Sequence, residues 1–186
     1  MRAQVVLVWA LFCSAVPTFA TPTVALAQRA SEPTIERALK WIQDRKGQMT
    51  REAMLGDAIR RFEIIVVEFK GCAVRVTEAY YERGLWESHI TISFDVTNLD
   101  SERVNTISSG STLPGVGVLK TPVVVLPATR SQPAFDFRFD GTSVDKDTLR
   151  SDWMHGAPTA EMAQRFVNAW KAAIRLCQAE AESEPF

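Results

Sequence analysis

Phe62-Glu63-Ile64-Ile65-Val66-Val67-Glu68-Phe69 runs straight into Lys70-Gly71, then into Cys72-Ala73-Val74-Arg75-Val76, and the pattern returns at Ile90-Thr91-Ile92-Ser93-Phe94-Asp95-Val96. β-branched and aromatic residues at period two, broken by turn residues, read as an antiparallel meander over 62–96. A two-residue turn at Lys70-Gly71 sets Phe69 against Cys72, Val67 against Val74 and Ile65 against Val76, all on one apolar face. For the second hairpin, a two-residue turn at Arg83-Gly84 would oppose Val76 to Thr91 and mix core with solvent. A three-residue loop, Glu82-Arg83-Gly84, instead opposes Val76 to Ile90, Val74 to Ile92 and Tyr80 to Trp86.

Outward from the meander, Val104 to Ile107 suits a short strand. Ser108 to Gly117, with its glycines, serines and Pro114, suits a loop. Val118 to Leu126 is apolar but carries Pro122, so it is an edge strand or breaks there. Phe135 to Asp140 alternates as a strand with one buried face, and Thr142 to Ala157 reads as polar loop. Met162, Phe166, Trp170, Ile174 and Cys177 form one stripe of a closing amphipathic helix. Near the other end, Ser31 suits a helix cap before the spacing of Ile35, Ala38, Leu39 and Ile42, and residues 28–60 read as a helical segment that Gly56 weakens. The expectation is α+β: a single domain over 61–179, an N-terminal helix, an antiparallel sheet packed by the C-terminal helix, and a disordered acidic tail over 180–186.

This order of elements is similar in outline to the pleckstrin-homology superfold. The likeness rests on element order and on no motif. A partly closed barrel of that kind and an open sheet under the last helix both satisfy the pattern.

Arg2, the apolar run Val5 to Phe12 and Ala25-Leu26-Ala27 have the form of a secretory signal peptide over 1–27, cleaved after Ala27, with Ala20 as the alternative site. The run is too short to span the bilayer, and no other stretch is apolar enough, so no membrane span is expected after cleavage. A periplasmic or extracellular protein follows. Cys72 and Cys177 are then an even pair in an exported chain and suit a disulfide; two buried free thiols are the alternative.

The 186 residues carry a net charge of -1, which gives no basic face for nucleic acid. Two histidines exclude HExxH-type zinc patterns, and neither a nucleophile elbow nor a phosphate loop occurs. Gly110, Gly115 and Gly117 make no dinucleotide fingerprint, so no cofactor is expected. Asp136 to Asp147 fails as a calcium loop because Arg138 occupies a ligand position. Asp145, Asp147, Asp152 and His155 share one loop, and Asp152 with His155 is the candidate acid–base pair of a small envelope hydrolase or metal-assisted enzyme. The same carboxylates equally suit a solvated loop before a helix N-terminus.

Tyr80, Tyr81 and Trp86 cluster at a hairpin end; the chosen register buries Tyr80 and Trp86 and leaves Tyr81 outside as a recognition residue. Gly110 and Gly115 mark a long loop of the kind that carries binding. The leading expectation is a non-catalytic exported domain binding a protein or a small apolar ligand in the cell envelope. The hydrolase is the alternative, and a structural accessory module is a third.

Overall fold

The computed structural model describes residues 34–129, 134–141 and 148–183; the leader, Ser31, Asp145 and Asp147 lie outside them. Thr34 caps α1 (Ile35–Gln43), its hydroxyl accepting from the Arg37 amide at 3.2 Å. Leu39 and Ile42 are buried, and Trp41 meets Phe166 edge-on at 5.3 Å. The helical reading of 28–60 stops there, apart from a 3-10 turn at Lys46–Gln48. β1 (Arg51–Leu55) and β2 (Ala58–Lys70) form a hairpin with Leu55 opposite Ala58. Gly56, at φ +62°, supplies the turn conformation that made the stretch a poor helix.

β3 (Ala73–Glu82) pairs with β2 two residues out of the expected register, which keeps the same faces together: Phe69 faces Val74 and Val67 faces Val76. Gly71-Cys72 is the turn, with Gly71 at φ +57°. A β-bulge between Ile64 and Val66 leaves Ile65 outside the ladder, 38% exposed. β4 (Leu85–Asp95) corrects the second hairpin in the same way. Its turn is the two-residue Arg83-Gly84, at φ +51° and +80°, and a bulge at Glu87 resets the register so that Val76 meets Ile92. The bulge also turns Trp86 outward beside Tyr81, 52% exposed, rather than onto the core face.

Further along come β5 (Asn105–Ile107), β6 (Thr112–Leu113), β7 (Gly117–Leu119) and β8 (Val123–Pro127); the chain does break at Pro122. β9 (Phe135–Gly141), β10 (Thr148–Arg150) and β11 (Asp152–Gly156) follow, so 148–156 is strand rather than polar loop. α2 (Ala160–Ser183) carries the helix into the expected tail, whose Ala- and Glu-rich sequence propagates it. The fold is α+β. The large antiparallel sheet has the order β10-β9-β4-β3-β2-β1-β7-β6 and is not closed; a second sheet has the order β11-β8-β5.

A main core joins these layers. Val67, Val74, Val76, Ile92 and Phe94 share the inner face of the large sheet, and Phe166, Trp170 and Ile174 of α2 pack into the same cluster. Cys72 and Cys177 are disulfide-bonded, with Cα atoms 5.9 Å apart, tying the end of α2 to the β2–β3 turn. In the small sheet, Trp153 and His155 join the main core, while Met154 and Val125 pack with Ala53, Leu119 and Val123 in a second cluster. Gly156 permits this closeness: a Cβ there would lie 1.7 Å from the Thr50 carbonyl oxygen.

Candidate functional site

Asp152 and His155 are three apart on β11, so alternation sends them to opposite faces. Asp152 is exposed and His155 is 1% exposed. The Nε2 of His155 accepts from the Trp170 indole at 3.0 Å, which leaves Nδ1 to donate to the Gly156 carbonyl at 2.9 Å. Burial holds this imidazole down at about 4 against the opposing carbonyl contact. The pair does not converge, and both ring nitrogens of His155 are committed to the core.

The candidate binding residues are also dispersed. Tyr81 lies on the outer sheet face with Ile59, Arg61 and Arg83. Gly110 is exposed and donates its amide to the Leu119 carbonyl at 2.7 Å. Gly115 alone lines a cavity on the inner face of the large sheet, and that cavity is the better candidate site.

The cavity holds about 320 Å³. Phe62, Tyr80, Ser88, Ile90, Phe137 and Phe139 line it from the inner sheet face, joined by Gly115 and Val116 of the β6–β7 loop and Met154 of the small sheet. Phe62 and Tyr80 stack with centroids 4.9 Å apart. Into this apolar space project Arg51, Arg60, Arg150 and Glu78. A wider concavity of about 820 Å³ beside the Gly71 turn is more open, and Glu68, Lys70, Arg75 and Asp95 give it a solvated, mixed-charge rim.

Glu78 is 2% exposed, and its Oε1 accepts from the Trp153 indole at 2.9 Å. Burial raises its pKa; the charge of Arg51, the indole bond and Arg150 pull the other way. Arg51 lays its guanidinium 4.1 Å from the Phe62 ring centre, and its Nε is buried without a hydrogen-bond partner. Burial lowers its pKa, Glu78 opposes this, and repulsion from Arg150 adds to it. Arg150 lies 4.8 Å above the Phe137 ring. The Arg60 Nε also lacks a hydrogen-bond partner, but Arg60 has an ion pair: its Nε is 3.8 Å from Glu82, which also accepts from the Tyr80 hydroxyl at 2.6 Å. Arg51 and Arg150 therefore form a pair of cations on aromatic faces with one buried carboxyl between strands to balance them.

None of these four charged residues is among the candidates that the sequence offers. The signal was present for Glu78, which continues the period of Val74 and Val76 and so falls on the inner face. For Arg51 and Arg150 it is absent, because the stretches around them carry helix-compatible and loop-like residues rather than a strand period. Among the described residues no cluster of three His, Cys, Asp or Glu side chains suits a metal ion, and no helix is long and apolar enough to cross a membrane. Comparison with family models, with curated proteins and with solved structures finds no match for this chain.

Proposed function

We propose that the chain is an exported, non-catalytic binding module that takes a small, largely apolar ligand into the cavity beneath the β6–β7 loop. The observation that carries the reading is the half-lined inner sheet face. The hydrophobic cluster under α2 fills one part of it, and the part around Phe62, Ile90 and Phe139 is left as a space of about 320 Å³. That volume lies at the lower end of small-molecule sites, and its apolar walls with a few converging polar groups have their usual make-up. The disulfide between Cys72 and Cys177 supports export, since such bonds persist in oxidising compartments.

Titration with the neutral dye Nile red tests the ligand reading. The purified chain should bind it with a blue-shifted rise in emission, and Val116→Trp, which fills the space from a half-buried loop position, should abolish the signal. Absence of binding, or equal binding by the variant, overturns the reading. Export is tested separately by mass spectrometry of the native protein: a mature N-terminus at Gln28 supports it, and an intact leader on cytosolic protein removes it.

A further inference from the structure

The polar groups of the cavity say more than its size does. A wholly apolar ligand would do nothing for the repulsion between Arg51 and Arg150 and would leave the Arg51 Nε still unpartnered. A cationic ligand would add to that repulsion. An anion relieves it, and guanidiniums held over the Phe62 and Phe137 rings, with centres 4.1 and 4.8 Å from the ring centroids, have N–H donors to offer an acceptor in the cavity. Glu78 in the same cavity limits the charge that can enter, because a dianion beside a buried carboxyl is disfavoured.

Resting on the small-ligand reading above, we infer that the ligand is an amphiphilic monocarboxylate, with its acid group held between Arg51 and Arg150 and its apolar body against Ile90, Phe139 and Met154. The space suits a body of about ten carbon atoms and excludes a two-chain lipid. Arginine forks bind carboxylate and phosphate alike, and it is the buried Glu78 beside them that favours the singly charged head.

Isothermal titration with decanoate, decan-1-ol, decyl phosphate and decyltrimethylammonium, each below its aggregation threshold, tests this. Decanoate should bind at least about tenfold more tightly than any of the others, and added salt should weaken it. Arg51→Gln and Arg150→Gln should each reduce decanoate affinity about tenfold and leave decan-1-ol unchanged; Arg150 is exposed, so its variant guards against a folding defect at Arg51. Decan-1-ol binding as tightly as decanoate overturns the charged-head assignment while leaving the cavity reading intact. Decyl phosphate or the ammonium compound matching decanoate overturns the choice of carboxylate. If no decyl compound binds and Nile red does not either, the underlying reading fails with it.

Discussion

Glu78 and Trp153 are joined by a buried hydrogen bond of 2.9 Å that ties the inner face of the large sheet to the small one. Because burial raises the Glu78 pKa, the folded state holds its proton more tightly than the unfolded chain does. Stability from this group is therefore present at low pH and is lost as pH rises above the ordinary carboxylate range. Glu78→Gln keeps an acceptor for the indole and removes the titration. Its stability relative to the parent chain should improve between pH 5 and pH 8, as read by urea midpoints; a difference independent of pH would contradict this.

His155 acts in the opposite sense. Its pKa, pushed down to about 4 by burial, lies below that of the unfolded chain, so stability is present at neutral pH and falls as pH drops from about 6.5 towards 4. The loss is on the order of 3 kcal/mol over that window. His155→Gln should be less stable at pH 7 but should lose less on acidification. Parallel curves for the two proteins would show that the imidazole is not the titrating group.

Reduction of the Cys72–Cys177 bond opens a loop of 105 residues. In the chain-entropy treatment such a closure is worth ~4 to 5 kcal/mol. Guanidinium unfolding with and without a reductant should show a loss of that order, and Cys72→Ala with Cys177→Ala should reproduce it. An unchanged midpoint would mean the bond adds nothing to the packing of α2.

Gly156 is a backbone contact point. Adding a methyl there collides with Thr50, and Gly156→Ala should cost about 3 kcal/mol or more or prevent folding. Gly47→Ala, where no atom lies within 4 Å, should stay within about 0.5 kcal/mol of the parent. Equal thermal midpoints for the two variants would refute the contact.

The registers show where reading by period stops. Val67, Val74 and Ile92 do lie on one face with Trp170 packed against them, because alternation and helical spacing are local properties of the chain. Period two assigns Ile65 and Trp86 to that face and both lie outside it, because Ile65 is itself a bulged residue and Trp86 precedes a bulge at Glu87 that inverts the parity of its strand. Near Gly56, the turn signal sits inside a weakly patterned stretch whose other residues are compatible with helix. In β11, the short run Asp152 to Gly156 reads as polar, yet Trp153 and His155 are buried because β8 pairs with the strand and α2 packs on these two rings.

From its residues alone this chain determines an α+β meander with an oily inner side, a closing helix and a cysteine pair, since these follow from spacing along the backbone. Only the folded molecule decides that Arg51, Arg150 and Glu78 meet in one cavity. Those residues come from strands distant in sequence, and a local pattern holds no record of which distant strands the core brings together.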